Sequence, residues 1–385
     1  MLAALLVPVA LVGGGLVLLF QGAALWLARE MPRLDPAPAA PPVPGPTPSV
    51  SVVIAARDEE AEIGAALDSV LAQDLPLREV LVVEGGSRDR TREVASARPP
   101  PVRLVDEPPL PPGWVGKNWA CWTGARASTG DWLLFLDADV RLHPSAVRTT
   151  LEWARRENAA LATIAPRVEM VGFWERVVLP FYVQMVLTYF RAPHVNRPGS
   201  RTAMANGQYW LVRRSDYDAL GGHEAVRSVV LEDVAIARRF RDAGRPIRLA
   251  WAPELAVTRM YRDRHEMFEG LLKNLHGIRF SALRQIGFLV GLLAFFWVPL
   301  AVLPVGVALG SVPLIGIGAV LIGALVGKHV VLARATGAPA GYGLAFPLAV
   351  GFYLVALAVS IGRGVRGGAV TWKGRSYRLE RERPP

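Results

Sequence analysis

Long apolar segments at both ends of the chain restrict its fold more than any other feature. Residues Leu2 to Leu27 carry one polar side chain, Gln21, and further apolar blocks run from Ile286 to Leu309, Val312 to Leu332 and Leu344 to Ile361. A helix of about 20 apolar residues spans a hydrocarbon core of about 30 Å. Each block is near that length, so the sequence predicts a membrane anchor before a soluble region and membrane helices after it.

Composition agrees with this mixed architecture. The chain is 52% hydrophobic and still 20% charged, with a mean hydropathy of +0.29. The single cysteine, Cys121, excludes an intrachain disulfide and gives no sign of an oxidising compartment. The net charge of +10 comes almost entirely from arginine, because only Lys117, Lys273, Lys328 and Lys373 are lysines. Arginine suits contact with phosphates and anionic headgroups, although the codon bias of a GC-rich genome explains the same pattern.

The charges that flank the apolar blocks predict a membrane topology with one conflict. Arg29 and Arg33 follow the first segment and no clear cleavage site does, which predicts an uncleaved anchor with the following region in the cytoplasm. Three further full crossings would leave the basic tail outside, whereas its charge predicts the inside. A re-entrant block would remove the conflict, and Pro299 and Pro304 make the first C-terminal block a candidate.

The soluble region is set off by a linker and by an amphipathic segment. Residues 35–48 are too rich in proline for a helix or a sheet and predict an extended spacer. Residues 263–284 predict an amphipathic helix at the membrane surface, with Phe268, Leu271, Leu272, Leu275 and Ile278 on one side and His265, Glu269, Lys273, His276 and Arg279 on the other. The predicted parts are the anchor 1–28, the linker 29–48, the catalytic domain 49–262, the interfacial helix 263–284, the membrane helices 285–363 and the basic cytoplasmic tail 364–385.

Between the linker and the amphipathic helix, the pattern is that of an α/β domain. Short β-branched runs such as "SVSVVIAA", "EVLVVE" and "DWLLFLDAD" alternate with helical stretches, which predicts a predominantly parallel sheet buried on both faces. Ligands bind such sheets at the carboxyl ends of the strands. The segment Phe173 to Phe190 has few charges and predicts a second interfacial helix, with a core helix or a further span as alternatives.

The most informative motif is an apolar strand that ends in Asp137-Ala138-Asp139. Successive residues of a strand point to opposite faces, so Asp137 and Asp139, two positions apart, are on one side, and a turn where the strand ends would let both carboxylates reach one site. Their hard oxygen ligands suit Mn²⁺ or Mg²⁺, an ion that neutralises a leaving diphosphate. The alternative is an aspartate-rich surface turn.

Two other strand ends carry a family resemblance. The first run is followed by "ARDEE" and the second ends in "VVEGGSRDRT", and together they resemble the family 2 glycosyltransferases of GT-A fold. In that family the second turn reads "VVDDGSxDxT", so Glu84 and Gly85 replace two aspartates here. The resemblance, from about Ser49 to Trp251, implies a set of nucleotide-sugar-binding residues: Ala55, Arg57, Glu59, Glu84, Lys117, Asp137 and Ala138.

Two later segments are similar to the carotenoid- and hopanoid-associated members of this family. In Trp114 to Ala125, the resemblance gives Lys117 the role of supporting the diphosphate, whereas the alternative is a solvated lysine at a helix start. In "MANGQYWLVRRSDYDALGGHEAVRSVVLEDVAIARRF" it implies an acceptor site of Asn206, Gly207, Gln208 and His223, with Gly221-Gly222-His223 as a flexible loop. The pair Glu232 and Asp233 would be catalytic, with Asp233 as the general base, although acidic residues also suit a helix start.

Together, the motifs predict an inverting, metal-dependent hexosyltransferase that moves one sugar from a nucleotide-sugar, UDP-glucose, to a carotenoid, hopanoid or other lipid at a bacterial cell membrane. A QxxRW motif of processive synthases is absent, as are HExxH, GxGxxG and P-loop motifs, and nothing indicates nucleic acid as a partner. The alternatives are a polyprenyl-phosphate or ceramide-like acceptor and, because of Glu84 and Gly85, a catalytically silent membrane scaffold.

Overall fold

The structure is a computed structural model, and it describes residues 2–36, 47–277, 282–365, 369–372 and 375–378. Its contacts divide the chain into two compact units. The helical unit comprises Met1–Glu30, Met170–Tyr189 and Tyr261–Val370, and the sheet unit comprises Met31–Glu169, Phe190–Met260 and Thr371–Pro385. The proposed basic tail and linker fall partly outside the described residues, at 379–385 and 37–46, so the predicted part boundaries remain predictions.

The elements are numbered in chain order. The strands are β1 (Val50–Ala56), β2 (Glu79–Glu84), β3 (Val102–Asp106), β4 (Trp132–Asp137), β5 (Val140–Leu142), β6 (Leu161–Ala165), β7 (Arg167–Val168), β8 (Tyr209–Arg213), β9 (Ile247–Trp251), β10 (Ala256–Thr258), β11 (Ala369–Trp372) and β12 (Arg375–Arg378). The helices are α1 (Leu2–Arg29), α2 (Ile63–Leu71), α3 (Thr91–Ser96), α4 (Gly116–Ala127), α5 (Ala146–Arg156), α6 (Phe173–Tyr189), α7 (Arg214–Ala219), α8 (Glu232–Asp242), α9 (Arg264–Gly277), α10 (Ala282–Leu292), α11 (Val298–Ala308), α12 (Val312–Ala335) and α13 (Phe346–Val365).

The sheet unit is built on a seven-stranded sheet in the order β3-β2-β1-β4-β8-β6-β9. All neighbouring strands run parallel except at β8, which is antiparallel to β4 and β6. The predicted predominantly parallel sheet is therefore confirmed. Because β8 runs the other way, its amino end lies at the same edge as the carboxyl ends of β1, β2 and β4.

Apolar burial on both faces explains why these short runs form strands. Val50, Val52 and Ile54 of β1 are fully buried, as are Leu133 and Leu134 of β4. Strands covered by helices on both sides need such continuous apolar runs, rather than an alternation with polar residues. A small sheet in the order β5-β10-β7 begins directly after the end of β4, with β10 antiparallel to β5.

Among the described residues, the helical unit contains four helices that are long and apolar enough to cross a membrane: Leu2–Arg29, Ile286–Ala308, Val312–Ala335 and Ala340–Arg363. These match the four predicted apolar blocks. The second is continuous through Pro299 and Pro304, because a π-helical turn, Leu293–Trp297, joins α10 to α11. This block is thus one helix of spanning length with a local widening of one turn, and its structure does not break at the prolines as a re-entrant block would.

Close contacts set the directions of the long helices. Gly14 of α1 lies against Leu321 of α12, and seven residues further along both helices Gln21 bonds to Lys328, so α1 and α12 run parallel. Gly306 and Gly318 let α11 and α12 pack as an antiparallel hairpin, because a Cβ on Gly318 would lie 2.6 Å from the backbone of Leu303.

The chain after α12 folds back onto it. Gly343 lies against the backbone of Val330, and the Phe346 ring stacks on His329 at 4.5 Å between centroids. Helix α13 therefore starts beside the last third of α12 rather than beyond its end. Near the other end of α13, Arg363 pairs with Glu269 of α9 at 3.6 Å. The side of the membrane on which the tail lies remains a prediction.

Helices α6 and α9 both belong to the helical unit. The segment around Phe173 forms α6, which packs against α13, α1 and α12 and buries Val177, Val178 and Phe181. The amphipathic segment forms α9 and buries Leu271, Leu272 and Leu275, while Ile278 and Arg279 lie outside the described residues. Contact of either helix with a membrane surface remains a prediction.

Candidate active site

Four chain segments meet at one edge of the large sheet. Ala55 of β1 pairs in register with Asp137 of β4, and Ala56 pairs with Glu84 of β2. The backbone N–H of Asp137 donates to the carbonyl of Gln208, just before β8, at 3.1 Å. This edge is where a doubly covered parallel sheet binds ligands, and it carries most of the predicted site residues.

The Asp-Ala-Asp motif lies where β4 ends. Asp137 is the last residue of the strand, Ala138 is buried, and the backbone turns at Asp139 before β5. The Thr258 hydroxyl donates to Asp139 at 3.1 Å. Burial, followed by the nearby Asp137 and Glu59 carboxylates, raises the pKa of Asp139 to about 7. The turn thus gathers carboxylates whose mutual repulsion a cation would relieve.

Lys117 joins the motif to the acidic pair of α8. Its Nζ lies 2.7 Å from Asp137 and 3.1 Å from Glu232. Burial lowers the pKa of Lys117, but the two carboxylates outweigh that effect and hold the pKa well above its usual value. The lysine is therefore charged and engaged, unlike the solvated lysine of the alternative interpretation.

Asp233 is held by the turn that precedes β8. Its carboxylate accepts hydrogen bonds from the N–H of Gly207 at 2.6 Å and from the N–H of Val234 at 2.8 Å. A Cβ at position 207 would lie 3.0 Å from the Asp233 oxygen and 3.3 Å from Lys117 Nζ, so the approach requires glycine. Burial, followed by the neighbouring Glu232, raises the pKa of Asp233 to about 7.

The rest of the turn is internally bonded. The N–H of Gln208 donates to the side-chain oxygen of Asn206 at 3.1 Å, and the Asn206 amide donates to Gln208 at 3.3 Å. Gln208 also donates to Thr258 at 3.4 Å. The turn therefore links the two carboxylates: Gly207 bonds Asp233, and Gln208 bonds the Thr258 hydroxyl, which in turn bonds Asp139.

Asn118 fixes the loop that leads to the acidic pair. It is fully buried next to Lys117 in α4, and its amide donates to the carbonyls of Val226 at 2.9 Å, Arg227 at 3.2 Å and Val229 at 2.9 Å. Because that loop ends where α8 begins, Asn118 positions Glu232 relative to Lys117.

The loops after β1 and β2 bond to each other through side chains. The N–H of Glu59 donates to Thr91 at 2.7 Å, and the N–H of Asp58, at a φ of 53°, donates to Ser87 at 3.1 Å. Arg57 donates to the carbonyl of Gly85 at 2.7 Å. These bonds bring the first two motifs together as the resemblance implies.

Glu84 is buried and tied to its own turn. Burial raises its pKa, but hydrogen bonds from Ser87 and Gly86 and the nearby Arg92 outweigh this, so the pKa is lowered and the carboxylate is ionised. At Gly85, a Cβ would lie 2.8 Å from the Glu107 carboxylate. Any side chain at position 85 would therefore require Glu107 to move.

His223 is enclosed by aromatic side chains. It is fully buried among Phe135, Trp210 and Tyr217, and its Nδ1 lies 2.7 Å from the Tyr217 hydroxyl. Burial lowers its pKa to about 3, so the ring is neutral. Gly222 permits this packing, because a Cβ there would lie 2.4 Å from the Tyr217 ring. Its contact with an acceptor stays a prediction.

The residues at the end of β4 fit a divalent ion that substrate helps to hold. Among the described residues, no group of three or more His, Cys, Asp and Glu side chains is arranged as a metal site. Mg²⁺ is usually bound through one or two carboxylates together with substrate phosphates and water. Asp137 and Asp139, with the raised pKa of Asp139, meet that requirement without further protein ligands.

Sequence reasoning missed Thr258 and Asn118. Thr258 lies in a three-residue strand 119 positions after the aspartate that it bonds. Asn118 was visible beside Lys117, but its carbonyl partners lie more than 100 positions away. No motif marks either residue, so neither was identifiable before the tertiary structure.

Comparison with known proteins shows which family this region is similar to. Residues 51–221 match the model of the glycosyl transferase family 2. The matched region spans β1 to β8 and contains the Asp-Ala-Asp motif, Lys117 and the turn at Gly207; the Glu232–Asp233 pair follows it.

Two curated relatives agree with the resemblance to carotenoid-associated members. The 4,4'-diaponeurosporenoate glycosyltransferase of Staphylococcus haemolyticus is 28% identical over 232 residues, which are 60% of this chain and 61% of that protein. The enzyme of the same name from Staphylococcus aureus strain USA300 is 28% identical over 231 residues, 59% of this chain and 60% of the relative. The match thus spans about three fifths of each relative.

A solved structure supports the fold. The mannosyltransferase PcManGT from Pyrobaculum calidifontis, in complex with GDP-Man and Mn²⁺, superposes with a TM-score of 0.53 at 20% sequence identity, covering 94% of this chain and 99% of that one. The GT-A fold of the matched region is confirmed, together with apolar helices that are candidate membrane spans.

Proposed function

We propose that this chain is an inverting hexosyltransferase that moves a single sugar from a nucleotide-sugar, UDP-glucose, to a lipid acceptor such as a carotenoid or hopanoid. One observation carries the proposal: Lys117 bridges Asp137 and Glu232, and Asp233 is bonded to the turn at Gly207. The proposed donor-binding carboxylates, the lysine and the proposed proton acceptor therefore share one sheet edge, at the end of the region that matches family 2.

The donor side follows from the strand ends. Asp137 and Asp139 would hold Mn²⁺ or Mg²⁺, which supplies charge neutralisation for the leaving diphosphate. Lys117 adds a positive charge beside Asp137. Arg57 and Glu84, which meet at the ends of β1 and β2, would contact the nucleoside, and Ala55 and Ala138 would leave room for the donor because their side chains are small.

The acceptor side centres on Asp233. An acceptor hydroxyl would donate its proton to the Asp233 carboxylate while its oxygen forms a bond to the anomeric carbon. The bond from that carbon to the diphosphate oxygen breaks, and its electron pair leaves with the nucleoside diphosphate. Asn206 and Gln208 would border the acceptor, because their turn lies on the Asp233 carboxylate. Attack opposite the leaving group inverts the anomeric configuration.

A lipid acceptor at a bacterial cell membrane is supported by the apolar helices. In the described part of the chain, four helices have the length and composition of membrane spans, and the relatives are named 4,4'-diaponeurosporenoate glycosyltransferases. The basic residues Arg29 and Arg33 after the first span favour a cytoplasmic catalytic domain.

The direct test uses the purified full chain in detergent with Mn²⁺, extracted bacterial lipids and a panel of radiolabelled nucleotide-sugars. We expect labelled glucose from UDP-glucose in one lipid product and a single sugar per acceptor by mass spectrometry. A donor other than UDP-glucose, or a product with several sugars, would contradict that part of the proposal. An absence of transfer and of donor hydrolysis would favour a silent scaffold.

Replacing Lys117 with Met is expected to weaken donor binding by about 10-fold or more, because a charge-assisted hydrogen bond contributes about 1.5–3 kcal/mol. Lys117→Arg keeps the charge and should lose less. The matched control is Arg126→Met, which removes an exposed cation from the same helix. Titration calorimetry with UDP and Mn²⁺ measures the effect, and equal affinity in all three variants would exclude Lys117 from the donor site.

A fragment of residues 49–259 is expected to transfer sugar poorly to membrane-embedded lipid. It lacks α9 and the candidate spans, which we propose deliver the acceptor. It also retains α6, whose packing partners α1, α12 and α13 are then missing. Transfer to liposomal lipid is compared with that of the full chain, and full activity of the fragment would contradict a role for the helical unit.

A further inference from the structure

A buried lysine in the helical unit has no carboxylate partner among the described residues. Lys328 of α12 is 5% exposed, and its Nζ donates to the side-chain oxygens of Gln21 at 2.5 Å and Gln184 at 2.7 Å. The ring of Phe296 lies 5.2 Å from the same nitrogen. We call these three polar residues, from α12, α1 and α6, the Lys328 cluster.

The donors and acceptors of the Lys328 cluster do not balance. Within the described part of the chain, no carboxylate pairs with Lys328, and the amide nitrogens of Gln21 and Gln184 are buried without a hydrogen-bond partner. Both glutamine oxygens already accept from the lysine. The cluster therefore offers the Lys328 amine and two unused amide N–H groups, which is the donor set of a site for an anionic oxygen group.

An unpaired charge in this position is costly. A charged side chain within a membrane segment is rare unless it pairs or serves a function, and the polar groups around it lose hydration without compensation. Glutamine oxygens solvate the ammonium only in part, because they carry no net charge. One oxyanion would neutralise Lys328 and accept from both glutamine amides at once.

The depth of the cluster indicates which kind of anion reaches it. Helix α1, with 28 residues, is about 42 Å long, which matches a whole bilayer of about 40–45 Å including headgroups. Gln21 is eight residues before its end at Arg29, about 12 Å along the axis. For α1 crossing such a bilayer along its normal, with a headgroup layer of about 5–7 Å, the cluster would lie about 5 Å inside the hydrocarbon edge.

We propose that the Lys328 cluster binds the oxyanion of a lipid, a carboxylate or phosphate monoester at the end of an apolar chain. Such a group reaches a shallow position in the hydrocarbon region because its apolar chain inserts with it. A free inorganic anion would lose its hydration without this compensation. All three residues of the cluster belong to the helical unit, so binding there can be tested independently of sugar transfer.

Binding of radiolabelled oleate and oleyl phosphate to the purified full chain in dodecyl maltoside tests the proposal. Two controls accompany them: oleyl alcohol has the apolar chain without the charge, and inorganic phosphate has the charge without the chain. We expect both lipid anions to bind the wild-type protein at least about 10-fold more tightly than oleyl alcohol, and inorganic phosphate to compete weakly. If inorganic phosphate competes as well as the lipid anions, or oleyl alcohol binds equally, the proposal is wrong.

Variants separate a ligand site from a brace between helices. Lys328→Met should lose at least about 10-fold in oleate affinity, whereas Arg334→Met, which removes an exposed charge from the same helix, should bind as the wild type does. Gln21→Glu places a carboxylate beside Lys328, so this variant should fold with an unchanged or higher Tm and lose oleate binding. Oleate binding that survives in a folded Gln21→Glu protein would overturn the proposal, even if Lys328→Met does not fold.

Discussion

Replacing Asp233 with Asn is expected to lower turnover by about 10²- to 10⁴-fold, the usual contribution of a positioned acid-base group. The amide keeps the shape of the carboxylate and removes its ability to take a proton. Nucleotide affinity should change little, because the donor-binding groups lie at Asp137, Asp139 and Lys117. Measuring turnover and the Kd for UDP on the same purified variant separates catalysis from binding.

A capping role for Asp233 leads to a different result. As a residue of the first turn of α8, it accepts the N–H of Val234, and Asn serves helix starts about as well as Asp. Under that interpretation turnover would stay nearly normal. The matched control is Asp242→Asn at the exposed end of the same helix, which should change neither turnover nor Tm. Near-normal turnover of Asp233→Asn would remove this residue from the mechanism.

The raised pKa of Asp233 adds a pH dependence to the same test. Burial and the adjacent Glu232 raise that pKa to about 7, and only the ionised form accepts a proton. The value of kcat/KM for a hydroxyl acceptor should therefore rise with pH through about 7. The Asp233→Asn protein should lack this limb, while a limb that persists in the variant would belong to another group.

Replacing Asp139 with Asn is expected to abolish most activity while the protein still folds. The change removes one of the two carboxylates proposed to hold the metal, and charge stabilisation by a metal contributes several kcal/mol, or about 10²-fold or more in rate. Folding should persist because an Asn oxygen still accepts from Thr258 and no apolar packing is lost.

Metal removal gives an independent measurement of the same site. Chelator should abolish wild-type turnover, and added Mn²⁺ or Mg²⁺ should restore it. In Asp139→Asn, restoration should require more metal and remain incomplete, whereas Asp242→Asn should respond as the wild type does. Undiminished turnover in chelator would contradict the metal role of Asp137 and Asp139.

The sequence by itself determined the features that depend on local pattern. Continuous apolar runs identified the candidate spans and the buried strands, because length and periodicity are properties of neighbouring residues. The Asp-Ala-Asp motif was placed at a strand end for the same reason, and the structure ends β4 at Asp137. Family resemblance to local motifs correctly gave the GT-A fold of the region that matches family 2.

Only the tertiary structure decided which of these residues meet. Gly207 bonds Asp233, 26 positions later, and Thr258 bonds Asp139, 119 positions earlier. No local sequence pattern predicts either contact. Helix α6 joined the helical unit although its sequence lies inside the catalytic region, because packing against α1, α12 and α13 buries its apolar side chains. The contacts of Lys328 with Gln21 and Gln184, from two distant helices, likewise became visible only in the tertiary structure. Local sequence fixes periodicity and propensity, whereas contacts between distant segments depend on how the whole chain buries its apolar surface.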